Sequence, residues 1–289
     1  MDKLHSSSGV KKAMGEYGLH FQKSLGQNFL TDTDILEQIV ASAELDSDTC
    51  VLEIGPGAGT LTCEIAREAH KVVAVEIDKN LIPLLTENTA EFDNVKIINN
   101  DILKLDLKAL FAEEFEGKKV KVVANLPYYI TTPIIMKLLE EKPGIESIVI
   151  MIQKEVAERL TANAGTKAYG AITPAVNYYS APSFVCYVPP ESFVPPPKVW
   201  SAVIRLDVLD KPPVDVLDET HFFKLIKAAF GQRRKTFLNS ASSLIGTDKE
   251  TLREVLISLG LPETARGETF SLVDFSQISN ELVKRNLCK

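Results

Sequence analysis

Short apolar runs, each ending on a polar residue, recur along the chain. Cys50-Val51-Leu52 leads to Glu53, Val72-Val73-Ala74-Val75 to Glu76, Val95-Lys96-Ile97-Ile98 to Asn99-Asn100-Asp101, and Val122-Val123-Ala124 to Asn125. Residues 145–152 form a further run. Such runs lack the in–out alternation of a half-exposed strand and suit strands covered on both faces of a parallel sheet. Between them the period changes to a helical one. Ile35, Leu36, Ile39 and Val40 follow Thr31-Asp32, Leu61 and Ile65 follow a glycine turn, and residues 133–141 precede Pro143-Gly144. Alternation of this kind predicts an α/β fold with a parallel sheet.

The pattern then shifts. Residues 153–160 and 171–179 read as helices flanking an Asn163-Ala164-Gly165-Thr166-Lys167 loop, and 183–188 with 201–208 as a closing strand pair. The proline-dense stretch 189–197 between that pair reads as a stiff loop rather than a flexible linker. Lys211-Pro212-Pro213 marks a boundary, after which Phe222, Phe223, Leu225, Ile226 and Phe230 begin a run of helices. Residues 1–20 are polar, with no apolar signal core, and read as a partly disordered tail. The predicted organisation is a tail at 1–20, an α/β domain at 21–210 and an all-helical domain at 211–289.

The composition fits a globular protein of the cytosol. Of 289 residues, 45% are hydrophobic and 25% charged, and no apolar run reaches membrane length. Cys50, Cys63, Cys186 and Cys288 show no Cys-x-x-Cys spacing, and the four histidines no ligand spacing. Free thiols and no metal are expected. A net charge of −7 argues against nucleic-acid binding, an objection about the mean that a local basic patch can outweigh. The triplet Arg233-Arg234-Lys235, inside Gly231-Gln232-Arg233-Arg234-Lys235-Thr236, is either a solvated face, as basic triplets usually are, or a phosphate-binding patch, the reading that its helix junction in an acidic protein favours.

The chemistry gathers at the predicted strand ends. Val120, Val122 and Val123 stop at Asn125-Leu126-Pro127-Tyr128-Tyr129, and Thr132-Pro133 reads as the capped start of a helix. Ligands of open α/β sheets bind along that edge. An exocyclic purine amine is a poor nucleophile because its lone pair is delocalised into the ring. The Asn125 and Leu126 carbonyls could each accept one N–H and turn that lone pair toward an electrophile, while Tyr128 stacks on the base. The same tetrapeptide could equally be a plain turn with Tyr128 in the core.

Gly55-Pro56-Gly57-Ala58-Gly59 would let the backbone approach a ligand, and no Gly-Lys-Ser/Thr follows to make it a phosphate loop. Glu76, about 20 residues on, is spaced to bind ribose hydroxyls. Asp101 could accept from an adenine amine, and Asp78 reads as a helix cap; strand-end acids in general also cap helices. The segment from Lys23 to Leu30 is either a surface loop or a lid whose Asn28 touches a ligand. Phe193, braced by prolines, is either packing or held out to stack.

These motifs in this order resemble the class I S-adenosylmethionine-dependent methyltransferases, whose sheet is Rossmann-like. Gln27-Asn28-Phe29-Leu30, Asn125 to Pro133, the Phe193/Pro195/Pro197/Val199 pattern and Phe230 to Thr236 resemble the ribosomal RNA adenine dimethyltransferase family, from about Phe21 to the C-terminus. Within it, the run around Arg233 and the helical domain resemble the KsgA type, which dimethylates two adjacent adenosines near the 3′ end of 16S rRNA. The Erm type, acting on large-subunit rRNA, is the nearest rival.

The resemblance implies S-adenosylmethionine as cofactor, held by Asn28, Leu30, the glycine turn (Gly55, Gly57, Gly59), Glu76, Asp101 and Asn125. It implies catalysis by Asn125, Leu126, Pro127 and Tyr128, with the target adenine stacked between Tyr128 and Phe193. Arg233, Arg234 and Lys235 would hold RNA. The expected partner is 16S rRNA in a small-subunit precursor, met by a cytoplasmic monomer without DNA or membrane. A DNA adenine methyltransferase, a small-molecule N-methyltransferase and a non-catalytic RNA-binding factor are the rival classes. They are disfavoured respectively by the lack of a DNA-reading domain, by the basic C-terminal module, and by the intact Asn125 and glycines.

Overall fold

The structure, a computed structural model, describes residues 4–22 and 25–285, so Lys23, Ser24 and Cys288 lie outside the described residues. The strands are β1 (Phe29–Leu30), β2 (Cys50–Ile54), β3 (Lys71–Glu76), β4 (Val95–Asn99), β5 (Val120–Asn125), β6 (Ile145–Gln153), β7 (Ser180–Val188), β8 (Phe193–Val194) and β9 (Ser201–Val208). The first helices are α1 (Ser7–Glu16), α2 (Thr33–Ala43), α3 (Thr60–Glu68), α4 (Ile82–Asn88), α5 (Leu107–Phe115) and α6 (Thr131–Glu140). They continue with α7 (Lys154–Leu160), α8 (Ile172–Tyr179), α9 (Glu219–Phe230), α10 (Phe237–Ile245), α11 (Lys249–Ser258) and α12 (Leu272–Lys284).

The chain divides into two compact units, Met1–Ala157 with Pro182–Val208, and Glu158–Ala181 with Leu209–Lys289. The sequence boundary near residue 210 therefore misassigns residues 158–181. Aromatic packing explains why. In the second unit the Tyr178 ring lies 5.2 Å from Phe222, and Tyr179 stacks on Phe223 at 5.6 Å. Phe237, Phe270 and Phe275 extend the aromatic core of that unit.

The first unit is built on a seven-stranded sheet in the order β4-β3-β2-β5-β6-β9-β7. β4, β3, β2, β5 and β6 pair in parallel, and β6 with β9 antiparallel. The uninterrupted apolar runs predict this, and every residue of β2 is buried. Strand order turns back between β2 and β5, which opens a crevice at their carboxyl ends. Lys121 of β5 is buried, with its ammonium donating to the Ala43 and Glu44 carbonyls at 3.0 and 2.7 Å. It satisfies the C-terminal carbonyls of α2, where a cation is favoured.

Four expectations need correction. Residues 7–16 are not a disordered tail: Ser6 caps α1, and Val10 and Met14 pack with Phe29, Ala58, Leu81 and Leu84. Their i, i+4 spacing is a short apolar stripe within a polar stretch. Helix α6 starts at Thr131, so Thr132 is not its cap and Pro133 sits inside the first turn. Proline is tolerated there because first-turn N–H groups have no intrahelical partner. Asp78 does not cap a helix starting at Lys79; it accepts from the Asn80 N–H at 3.0 Å, and α4 begins at Ile82.

The fourth concerns Phe193. It is 2% exposed and packs with Leu30, Ile35, Leu36, Val149, Met151 and Val203. The proline loop does brace it, but inward. β8 pairs antiparallel with β1, Leu30 opposite Phe193, and the Thr31 N–H donates to the Ser192 carbonyl at 2.9 Å. The ring expected to stack on the target base is therefore packed in the core and does not line the cleft described below. Phe193→Ala should cost about 3 kcal/mol or more, lowering the melting temperature by roughly 6 °C or more. Phe184→Ala, at an exposed ring, should stay within about 0.5 kcal/mol of wild type in the same thermal melts.

Candidate active site

A cleft of about 1030 Å³, counted out to its mouth, opens over the carboxyl ends of β2, β3 and β5. Its wall contains Asn28, Leu30, Gly55, Gly57, Glu76, Asp101, Asn125, Leu126, Pro127 and Tyr128. Ten residues singled out from sequence, drawn from segments far apart in the chain, thus meet in one place. Gly59 does not line it. It caps α3 with φ 92°, and an added Cβ would lie 2.9 Å from Leu85 Cδ1, so its role is packing. Phe193 is absent for the reason given above.

The glycine turn and the two following acids form one hydrogen-bonded corner. The Gly57 N–H donates to Glu76 Oε2 at 3.0 Å, and the Asp78 N–H to Glu76 Oε1 at 2.8 Å. Gly57 has φ 61°, and a Cβ there would sit 2.8 Å from the Phe29 ring. At Gly55 (φ 70°) a Cβ would meet only the Asn125 carbonyl, at 3.9 Å, so the space beside it belongs to the cleft. Burial raises the Glu76 carboxyl pKa, opposed by those two backbone donors. A carboxylate has about four acceptor positions, so Glu76 can still receive ribose hydroxyls.

Glu53, in the same wall, is 1% exposed. Burial pushes its carboxyl up to about 8, reinforced by the nearby Glu76 charge, and Oε2 has no hydrogen-bond partner among the described residues. Two apolar side chains that sequence reading passed over, Ile77 and Ile102, adjoin Glu76 and Asp101. Ile77 is half exposed, an apolar face next to an acid, as a purine slot requires. The sequence signal was an isoleucine directly after each strand-end acid.

The segment before β1 is tied across the cleft rather than loose. Gln27 Nε2 donates to Asp78 Oδ2 at 2.8 Å, and Asn125 Nδ2 to the Asn28 carbonyl at 3.0 Å. Asn28 spends its own amide N–H on the Gly26 carbonyl at 3.0 Å. The bond to Asn28 fixes the Asn125 amide plane, and among the described residues no donor occupies Asn125 Oδ1. Beyond it the backbone turns: the Leu126 N–H reaches the Met151 carbonyl at 3.1 Å, and Thr131 Oγ1 donates to the Pro127 carbonyl at 3.1 Å. The Tyr128 hydroxyl is held 2.5 Å from Ser201 Oγ. Burial raises the Tyr128 phenol pKa, so the ring stays neutral at physiological pH.

In the second unit, Arg233, Arg234 and Lys235 are exposed in the turn between α9 and α10. Arg233 is engaged there: Nε donates to Glu268 Oε2 at 3.0 Å, and Nη2 to the Lys167 carbonyl.

Comparison with known proteins agrees with this geometry. The chain matches the family described as "Ribosomal RNA adenine dimethylase" over residues 18–281. It is 53% identical to the ribosomal RNA small subunit methyltransferase A of Alkaliphilus metalliredigens, over 99% of this chain and all of the relative. It is 48% identical to the protein so named from Bacillus mycoides, again over 99% of this chain and all of the relative. Among solved structures, a dimethyladenosine transferase from Plasmodium falciparum superposes with a TM-score of 0.75 at 28% identity, covering 90% of this chain and 98% of that one. The 23S rRNA methyltransferase ErmE gives 0.69 at 27% identity, covering 89% and 100%. A full-length match, the Rossmann-like sheet and the cleft at its switch point lead to one assignment: the chain belongs to the ribosomal RNA adenine dimethylase family, whose enzymes are S-adenosylmethionine-dependent.

Proposed function

We propose that this enzyme methylates N6 of two adjacent adenosines near the 3′ end of 16S rRNA, in a precursor of the small ribosomal subunit, yielding N6,N6-dimethyladenosines. The relatives named for the small subunit, at up to 53% identity over their whole length, favour that subunit over the large one. The same reading makes it a cytoplasmic monomer that needs no DNA. No helix among the described residues is long and apolar enough to cross a membrane.

The observation that carries the chemistry is the fixed amide at the end of β5. Bound S-adenosylmethionine supplies an electrophilic methyl on a sulfonium. Glu76 would accept its ribose hydroxyls and Asp101 its adenine amine, with Ile77 and Ile102 supplying apolar surface for the base. Glu53, with its orphan oxygen, favours a ligand that brings positive charge. The target adenosine is flipped from the RNA and laid on Tyr128. Asn125 Oδ1 and the Leu126 carbonyl accept its two N6–H groups, aiming the nitrogen lone pair at the methyl. These neutral dipoles face the positive charge that grows on N6, and positioning supplies most of the rate. Asn125 is no base, so the displaced proton leaves to water. A second round requires the pocket to admit one methyl on N6.

Asn125→Ala should slow single-turnover methyl transfer to unmethylated small subunits by on the order of 100-fold or more, with little change in cofactor affinity. A rate within a few-fold of wild type would remove the orienting role. Mapping the modified base after incubation with small subunits, large subunits and naked rRNAs tests the target itself.

Glu53 generates a pH prediction. Its folded pKa of about 8 lies above the ordinary carboxylate value of 4.5, so the folded protein binds a proton that the unfolded chain lacks between those values. Stability should therefore fall as pH rises from about 4.5 to 8. Glu53→Gln lacks this titration, so its advantage in apo-protein melts should grow across that window to a few kcal/mol and level off above it. A gap independent of pH would exclude an isolated buried carboxyl.

RNA affinity in this reading draws on the triplet, with Arg234 and Lys235 contributing more than Arg233. An exposed ion pair such as Arg233–Glu268 is worth little, but it must be exchanged for a phosphate. Replacing Arg234 and Lys235 by Gln should flatten the plot of log K against log salt by roughly 0.7–0.9 per phosphate lost, and Arg233→Gln should do less. An unchanged slope in the double variant would make the triplet a solvated face.

A further inference from the structure

Beside the catalytic turn, the first unit exposes aromatic surface that the cofactor cleft does not use. Trp200 is 50% exposed, Phe184 48% and Tyr187 44%. None of the three lines the cleft. They are nevertheless joined to its chemistry by short links. The Tyr128 hydroxyl lies 2.5 Å from Ser201 Oγ, and Ser201 directly follows Trp200. The Lys154 N–H donates to the Trp200 carbonyl at 2.9 Å. Lys154 Nζ sits 4.7 Å above the Tyr187 ring, and the Phe184 and Tyr187 rings are 4.6 Å apart.

Strand register puts Trp200 on the catalytic rim. Asn125 of β5 pairs with Met151 of β6, and Gln153 of β6 with Ser201 at the start of β9. With strands about 4.8 Å apart, Trp200 leaves the sheet roughly 10 Å from the β5 terminus, at the same edge.

Flipping an adenosine out of an RNA strand unstacks its neighbours, which then expose apolar faces to water. Exposed rings interleaved with lysine are the usual answer to that cost in single-stranded nucleic-acid binding, because every base has a π face and every linkage a phosphate. Lys154, over the Tyr187 ring, supplies positive charge beside this pair. We propose that Trp200 and the Phe184/Tyr187 pair form a stacking platform for RNA bases flanking the target adenosine, with Trp200 as the ring adjoining the catalytic turn. The proposal rests on the reading of the enzyme as an rRNA adenine methyltransferase, and it adds a binding surface that positions the substrate strand without touching the reacting atoms.

Trp200 is the sole tryptophan of the chain, so its fluorescence reports this surface directly. The full-length protein is titrated with a single-stranded oligoribonucleotide carrying two adjacent adenosines, and in parallel with heparin, a polyanion without bases. The oligonucleotide should quench Trp200 saturably, by half or more, whereas heparin should compete with the oligonucleotide without quenching. In methylation of small subunits, Trp200→Ala should raise KM for the subunit about tenfold, with kcat and KM for S-adenosylmethionine unchanged, and Trp200→Phe should restore most of the loss. Absence of quenching, together with wild-type KM in Trp200→Ala, would overturn the platform while leaving the methyltransferase reading intact. A loss in kcat that Trp200→Phe does not rescue, with a lowered melting temperature, would assign Trp200 to packing and overturn it too. If the wild-type protein methylated no rRNA, the underlying reading would fail, and quenching would still decide whether the surface stacks bases.

Discussion

Everything at the site depends on β2 and β5 running parallel, buried on both faces, at the point where strand order turns back. A parallel pair needs crossover connections, so both strands deliver their carboxyl ends to the same edge, and the chain beyond each must leave in opposite directions. That leaves a crevice floored by backbone. Glu53 and Gly55 reach it from β2, Glu76 from β3 and Asn125 from β5. None of these four has to be carried there by a long loop. The rigidity of the sheet is passed to the Asn125 amide, and one hydrogen bond to the Asn28 carbonyl fixes the remaining rotation.

The electrostatics follow from the same burial. Carboxylates at strand ends inside a low-dielectric wall resist ionisation, which is why burial raises both Glu53 and Glu76. Glu76 is partly relieved by two backbone N–H donors, whereas Glu53 keeps an unpartnered oxygen. An acidic wall of this kind suits a cationic cofactor and, without one, costs stability. The Asn125 amide, by contrast, is uncharged, and in the proposed reaction it would stabilise growing positive charge without trapping a proton. Buried carboxyls from β2 and β3 and the neutral amide from β5 are thus separated along one crevice.

The acidic mean charge of the chain does not conflict with an RNA substrate. Phosphate contacts are local, and the triplet after α9 concentrates exposed cations in a unit with its own aromatic core. The segment from Gln27 to Leu30 shows a related economy of means. It donates from Gln27 to Asp78, accepts from Asn125 and adds β1 to β8, so three weak ties hold a stretch that has no regular structure of its own except that two-residue strand.

The sequence by itself determined the parallel strands, the glycine turn, the strand-end acids and the Asn125 turn. Each is written in a local period or in a residue type whose backbone or chemistry allows few alternatives. It also determined that Phe193 is rigidly held, since prolines flank it. Which way the ring points was decided by a two-residue pairing with Leu30, a contact between distant segments that leaves no local trace. Gly59 likewise looks no different from Gly55 in the chain, and only the approach of Leu85 makes it a packing position. Helix α1 and the allegiance of residues 158–181 to the second unit were hidden for the same reason. A short apolar stripe shows that a segment will be buried, but the surface that buries it exists only after the rest of the chain has folded.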